Sequence, residues 1–381
     1  MAQLRPSTIR EILKVAAQPE IISFAGGLPA PELFPVDAVR AAADDVLARH
    51  GREALQYGPS EGFPPLREWI ASELQRRGIK TAPAEVLVTN GSQQVLDLVA
   101  KLLVNPGDVV LTENPTYLAA IQAFQALEAR FVPVPTDEHG LIPEALPELI
   151  RLHRPKFLYT IPNFQNPTGV TLTAPRRQAL ARIAAEQKLV VLEDDPYGKL
   201  RYSGAEVPPV KHWDEAGWVL YASTFSKTIA PGLRLGWVAA PEEIFSRLLI
   251  LKQAADLHTS GLDQRVAHAY LTGNDQSVHL ERIRRAYGER FAVMDAALQA
   301  EMPPGYRWTK PEGGMFLWVT GPAELDGLKL LERAIKERVA FVPGRDFFPA
   351  DAGSNYLRLN FSNSTPERIR EGVRRLAALC R

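Results

Sequence analysis

A mostly parallel β-sheet with helices on both faces, an α/β fold carrying a smaller α+β domain, is predicted by three features of the sequence. The chain has 381 residues, more than one typical domain and enough for a large core with a satellite. From about residue 65 to 275, short apolar runs alternate with longer segments of helical period, as parallel strands joined by crossover helices require. After about residue 285 that alternation gives way to a long charged helix followed by closely spaced short runs, which marks a second unit with an antiparallel sheet.

Taken in order, residues 1–17 break any apolar run with Arg5, Arg10, Glu11 and Lys14. They read as a short amphipathic helix and not as a signal peptide. The Pro/Gly-rich stretch 26–35 separates this segment from the body. Strands are expected at 85–89, 109–112, 129–134, 157–161, 189–193, 218–223 and 235–239, because each is a short apolar run bounded by turn residues. Helices are expected between them at 92–103, 118–127, 143–151 and 175–186. The second unit should hold a helix through 282–300, strands at 315–319, 340–342 and 356–360, and helices at 328–337 and 366–378. The boundary then falls inside the long helix, giving divisions at 1–40, 41–285 and 286–381. Sheets of this kind bind ligands at the carboxyl ends of their strands.

Bulk chemistry narrows the function classes. Apolar residues make up 46% and charged residues 23%, ordinary globular proportions that exclude wholesale disorder. Basic and acidic residues balance at 44 each, so no charge footprint for nucleic acid or an anionic membrane is expected. The one cysteine, Cys380, cannot close an internal disulfide, and no cysteine cluster is present for zinc or iron–sulfur, so no metal is expected. No apolar stretch approaches the roughly 20 residues of a membrane span. A soluble, cytoplasmic protein with small-molecule partners is the expectation.

The most informative stretch is Ser223-Thr224-Phe225-Ser226-Lys227, with Arg234 seven residues further on. Apolar runs flank it on both sides, so the Lys227 amine should sit at the turn of two buried strands beside hydroxyls and a guanidinium. That equipment suits a Schiff base with an aldehyde cofactor whose phosphate needs anchoring, namely pyridoxal 5′-phosphate (PLP). Such a cofactor also needs a carboxylate against its ring nitrogen. Asp194 and Asp195 both end an apolar run, and either could serve. Donors to the ring oxygen are available from Asn166, in Asn166-Pro167-Thr168-Gly169, and from Tyr197. Gly91-Ser92-Gln93 opens a helix after a strand, so its backbone N–H groups favour an anion. Thr224, Ser226 and Arg234 would complete that phosphate cradle. Tyr117, after the strand at 109–112, could stack on the ring. Each signal is weak alone. Together they follow successive strands around one lysine.

At these residues the chain resembles the fold-type-I PLP-dependent aminotransferases of class I/II, and within them the 2-aminoadipate and kynurenine aminotransferase branch. The matching segments include Ser7-Thr8-Ile9-Arg10, Ser23-Phe24-Ala25-Gly26-Gly27-Leu28-Pro29, Leu55-Gln56-Tyr57-Gly58, Gly91-Ser92-Gln93-Gln94, Glu193-Asp194-Asp195-Pro196-Tyr197 and Glu312-Gly313-Gly314-Met315-Phe316. The resemblance implies Lys227 as the Schiff-base lysine and proton carrier, and assigns the ring nitrogen to Asp194. It implies Asn166 and Tyr197 at the ring oxygen, with Ser92, Gln93, Thr224, Ser226 and Arg234 at the phosphate. Tyr57 would reach the cofactor of a second subunit, which implies a homodimer with shared sites. Arg358, which on the residues alone reads as a solvent-facing strand position, would clamp the substrate α-carboxylate. Ser7, Arg10 and Gly27 would border the substrate, residues 1–40 would cover it, and Arg10 could pair with an acidic side chain. Thr224 and Pro196 depart from the serine and alanine common in relatives, and neither change removes a needed group.

The implied reaction is amino-group exchange between an L-amino acid, such as 2-aminoadipate or glutamate, and a 2-oxo acid such as 2-oxoglutarate. A PLP-dependent β-lyase on the same fold would share these residues and would release pyruvate from cystathionine without an acceptor. Decarboxylases of the fold place histidines where this chain has Ser226 and Tyr117. A regulator of the MocR type would carry a DNA-binding domain ahead of the aminotransferase-like one, whereas this chain reads as starting at the substrate-covering segment.

Overall fold

The computed structural model describes residues 18–350 and 353–381. Ser7 and Arg10 therefore lie outside the described residues. Seven strands form the main sheet: β1 (Val86–Asn90), β2 (Val109–Thr112), β3 (Arg130–Pro133), β4 (Phe157–Thr160), β5 (Val190–Asp194), β6 (Val219–Thr224) and β7 (Leu235–Ala239). Their spatial order is β1-β7-β6-β5-β4-β2-β3. The pairs from β3 through β6 are all parallel, and β7 runs antiparallel to both β6 and β1. The seven strands expected for this sheet are all present, with ends displaced by at most a residue; the run expected as one strand at 340–342 is instead split between Val339–Ala340 and Val342–Pro343, which belong to different sheets.

Crossover helices cover both faces. Those that matter for the site are α1 (Ser92–Leu103), α2 (Leu118–Gln125) and α3 (Ala174–Gln187), then α4 (Glu242–Asp256). Helix α1 forms because Val95, Leu96 and Val99 recur on one face and are buried, while Gly91 before it takes a left-handed φ of 72°. Two apolar clusters, one on Leu87, Phe124, Tyr159 and Leu192, the other on Val88, Tyr221, Leu235 and Trp237, lie on opposite faces of the strands they share.

The reversal between β6 and β7 brings three chain segments to one end of the sheet. Thr224 lies opposite Gly236, and Leu235 lies opposite Asn90. A Cβ on Gly236 would stand 2.5 Å from the backbone of both Gly91 and Ser92, so only glycine lets β7 approach the start of α1 this closely. The ends of β1 and β6 and the start of β7 thus converge.

The C-terminal part has its own antiparallel sheet of β8 (Arg307–Trp308), β9 (Phe316–Thr320), β10 (Val342–Pro343) and β11 (Tyr356–Asn360), in the order β8-β9-β11-β10. A 26-residue helix, α5 (Gln276–Glu301), leads into it, started by the Asp275 side chain accepting from the Ser277 N–H. Ile22–Ser23 pairs in parallel with Val339–Ala340. The Phe24 N–H then donates to Ala340 at 2.7 Å, and the Asn360 N–H donates back to Phe24 at 2.8 Å. These bonds lay Ala25–Leu28 across the carboxyl end of the main sheet.

Candidate active site

A cavity of about 630 Å³ opens at that carboxyl end. Its walls take Ser92, Gln93, Tyr117, Asn166, Asp194 and Tyr197 from the loops and ends that follow β1, β2, β4 and β5. Thr224, Ser226, Lys227 and Arg234 come from the β6–β7 reversal, Arg358 from β11, and Gly27 from the crossing N-terminal segment. Every sequence-predicted site residue within the described part of the chain lines this one cavity, except Tyr57. Tyr57 is 78% exposed and packs edge-on against His258. A larger cleft of about 720 Å³, between Gly169–Ala174 and Arg307–Glu312, contains none of these residues.

Lys227 ends the one-turn helix Phe225–Lys227, capped by Thr224, whose Oγ1 accepts from the Ser226 N–H at 3.1 Å. Its Nζ donates to the Gly27 carbonyl at 2.9 Å. Burial, and then the charges of Arg358 and Arg234, lower its pKa to about 8. About half of the amine is therefore neutral, and nucleophilic, near pH 8, against almost none for an ordinary lysine.

The two adjacent aspartates are sharply different. Asp195 accepts four bonds, from Arg77 Nη2 at 2.9 Å, Tyr221 Oη at 2.7 Å, Asn163 Nδ2 at 2.8 Å and the Gly198 N–H at 2.9 Å. Burial alone would raise its pKa, yet the Arg77 charge and these donors hold it below the ordinary carboxylate value. It is saturated and does not line the cavity. Among the described residues the Asp194 carboxylate accepts one bond, from Tyr159 Oη to Oδ2 at 2.9 Å. Its Oδ1 is buried without a hydrogen-bond partner among the described residues. Burial pushes its pKa up to about 7, opposed by the Tyr159 bond and reinforced by the charge of Asp195. A protonated ring nitrogen placed against Oδ1 would supply the missing donor and restore the charge.

Arg358 is 4% exposed, which corrects the solvent-facing reading of its strand. Its Nη1 donates to Asn166 Oδ1 at 2.9 Å and its Nη2 to the Ala25 carbonyl at 2.7 Å. Phe316 and Phe347 flank the guanidinium, at 4.2 and 4.9 Å from their ring centres. The Nε is buried without a partner among the described residues, so the fork retains donors for a carboxylate.

At the converging strand ends, Arg234 adopts a left-handed φ of 51° that turns its side chain back over Gly91. A Cβ on Gly91 would come within 2.6 Å of Arg234 Nη2. Thr224 Oγ1 donates to the Leu235 carbonyl at 2.7 Å and lies 2.8 Å from Ser226 Oγ. The Arg234 guanidinium, the Ser226 hydroxyl and the N–H groups at the start of α1 are the donors a dianion needs, with Thr224, whose proton goes to Leu235, bracing Ser226 behind them.

Sequence reasoning missed Tyr159, Phe316 and Phe347 as contributors. A weak signal existed for Tyr159, a hydroxyl in the mostly apolar run Phe157-Leu158-Tyr159-Thr160, although Thr160 beside it carries one too. The phenylalanines give no such signal, because apolar residues beside strands are ordinary core.

A model of the family described as aminotransferase class I and II matches residues 20–376. The chain belongs to this family. It is 45% identical over 380 residues to an aromatic-amino-acid aminotransferase of Thermococcus litoralis, covering 98% of this chain and 91% of the relative. It is 46% identical over 377 residues to a 2-aminoadipate transaminase of Thermus thermophilus, covering 98% and 94%. Its fold superposes with a TM-score of 0.93, at 44% identity, on an α-aminoadipate aminotransferase of Thermus thermophilus complexed with N-(5′-phosphopyridoxyl)-L-leucine, covering 100% of this chain and 95% of that one. The protein is a PLP-dependent aminotransferase of the fold-type-I architecture. The orphaned Asp194 oxygen, the anion cradle and the neutralisable Lys227 amine fit that cofactor.

Proposed function

We propose that this aminotransferase exchanges amino groups between a range of L-amino acids, 2-aminoadipate and glutamate among them, and 2-oxo acids such as 2-oxoglutarate. The observation that carries the assignment of roles is the single cavity gathering Lys227, Asp194, Asn166, Arg358 and Arg234. PLP, when bound, supplies an aldehyde and an electron-withdrawing ring that stabilises negative charge at the substrate Cα. Lys227 is the amine that holds the aldehyde at rest. Its amine, when free of the aldehyde, would carry the proton between the substrate Cα and the cofactor's C4′. Asp194 keeps the ring nitrogen protonated. Tyr197, whose pKa burial raises well above its usual value, stays a hydroxyl donor to the ring oxygen, and Asn166 offers its Nδ2 beside it. Ser92, Gln93, Thr224, Ser226 and Arg234 would hold the phosphate, and Tyr117 would lie against the ring. Arg358 grips the α-carboxylate, with Phe316 and Phe347 excluding water from the guanidinium.

The exposed Tyr57 supports a homodimer in which that residue serves the partner's site. Among the described residues no helix is long and apolar enough to cross a membrane, and we place the enzyme in the cytoplasm. The division at 1–40, 41–285 and 286–381 is part of the same reading, supported by the pairing of residues 22–23 with 339–340.

A half-reaction screen tests the substrate range: the yellow protein is mixed with each amino acid and conversion to pyridoxamine phosphate is followed by absorbance. The reading is wrong if no amino acid converts the cofactor. Arg10 is assigned to acidic side chains. Arg10→Ala should lower kcat/KM for glutamate and 2-aminoadipate, relative to leucine, by at least about tenfold, or 1.4 kcal/mol. An unchanged preference removes that assignment.

The lowered pKa of Lys227 gives a pH dependence. Only the neutral amine attacks, so the rate of PLP uptake by apoprotein should rise about tenfold per pH unit below the pKa and level off above about 8. Stopped-flow mixing checks this. A rise that continues towards pH 10 would mean that the amine is not perturbed.

A further inference from the structure

Lys252 is a charged side chain with no exposed surface, and nothing in the chemistry above uses it. It lies on α4, and its Nζ donates to Asp256 Oδ1, one turn on, at 2.5 Å. The other carboxylate oxygen, Oδ2, accepts from Asn90 Nδ2 at 2.5 Å and from Gln94 Nε2 at 2.8 Å. Asn90 and Gln94 are also joined to each other, the Asn90 N–H donating to Gln94 Oε1 at 2.9 Å. Between them lie only Gly91, Ser92 and Gln93. One carboxylate therefore clamps both ends of the turn whose N–H groups face the phosphate cradle, and the same turn borders Arg234, whose Nη2 is 3.5 Å from the Asn90 carbonyl.

Taking an ammonium out of water is expensive, and apolar side chains of the same volume often serve stability as well or better. What the pair supplies that apolar residues cannot is a fixed acceptor with two directions, aimed at two amides. We propose that Asp256, anchored by Lys252, is a positioning residue for the cofactor phosphate: through Asn90 and Gln94 it holds the Gly91-Ser92-Gln93 backbone with its donors turned towards the anion. The inference rests on the PLP reading of the cavity and adds a residue on α4, outside the cavity wall, to the phosphate site.

The test separates phosphate positioning from general support of the fold. Apoprotein is titrated at equilibrium with PLP and, separately, with pyridoxal, which has the aldehyde and ring without the phosphate. Wild type sets the ratio of the two affinities; if it binds no PLP, the cofactor reading itself fails, and this inference with it. In Lys252→Met/Asp256→Leu, which removes both charges at similar volume, PLP affinity should fall at least about tenfold (1.4 kcal/mol) while pyridoxal affinity stays within about twofold. Lys252→Met/Asp256→Asn keeps an acceptor for the two amides and should restore most of the loss. Thermal protection of apoprotein by inorganic phosphate should follow the same order. Asn90→Ala/Gln94→Ala leaves the ion pair in place and should reproduce the selective loss, which keeps the test decisive if the apolar double variant folds poorly. Equal weakening of PLP and pyridoxal, or undiminished PLP affinity, overturns the proposal.

Discussion

Lys227→Ala should lower the rate of amino-group transfer by at least about 10⁴-fold, the upper end of what general acid–base catalysis alone contributes, because on the proposed assignment the residue would also supply the covalent anchor. The fold should survive. Among the described residues the Lys227 side chain makes one hydrogen bond, to the Gly27 carbonyl. Its folded pKa of about 8 lies below the ordinary lysine value, so the unfolded chain binds more protons here between those two pKa values, and a charged amine works against folding below about pH 8. Removing it at pH 7 should leave Tm unchanged or raised. Lys227→Arg should be as inactive as the alanine variant, since a guanidinium does not deprotonate at working pH. Small primary amines added to Lys227→Ala should recover part of the proton transfer, because the cavity can admit them beside the substrate. Single-turnover mixing with glutamate measures all three, and a Lys227→Ala rate within tenfold of wild type would remove the residue from the chemistry.

Much of the fold was legible because each strand of the main sheet is a short apolar run closed by polar or glycine residues. Strands β2, β7 and β11 fall at the expected residues, and α1 begins and ends where its Gly91 and apolar stripe indicate. Direction was not legible. Leu235–Ala239 is buried along its whole length, and a fully buried strand carries no face pattern to tell parallel from antiparallel. The antiparallel placement of β7 follows from the close approach of Gly236 to Gly91, a contact between residues 145 positions apart (236 minus 91). The helices Val36–Ala54, Pro64–Arg76 and Gly261–Gly273 also stood outside the strand–helix alternation. They pack on the same face as Trp237 and Tyr221, with apolar positions too dispersed among charges to stand out in the sequence.

The site was legible where a residue's chemistry is out of place locally. Lys227 among hydroxyls and Gly91-Ser92-Gln93 after a strand are such cases. Arg358 was not, because an arginine in an alternating strand has the ordinary explanation that it faces water. Its burial depends on Phe316 and Phe347, and its partner Asn166 is 192 residues away. That buried arrangement forms only once the two sheets meet.

Asp194 and Asp195 were indistinguishable on local sequence, and their replacement should have opposite consequences. Asp195→Ala strips the acceptor from Arg77, Tyr221 and Asn163 inside the core. Breaking a fully buried ion pair costs about 3–5 kcal/mol. The Arg77 side chain is 21% exposed and keeps Tyr221 beside it, so the loss should fall below that range, and the variant should unfold at lower denaturant while any folded fraction still binds PLP. Asp194→Ala strips a single Tyr159 bond and removes a carboxylate that burial makes reluctant to ionise. Its stability should change little or rise. Its kcat should fall roughly 10²–10³-fold, the scale expected for removing one electrostatic stabiliser of developing charge. Asp194→Asn should be nearly as poor, since an amide cannot keep the ring nitrogen charged, whereas Asp194→Glu should recover part of the rate. Urea unfolding of the apoproteins and single-turnover rates of the loaded enzymes separate the two residues. If Asp195→Ala lost activity with full stability and Asp194→Ala lost stability with full activity, the carboxylate facing the ring would be Asp195. The orphaned Oδ1 of Asp194 would then have no part in holding the ring nitrogen.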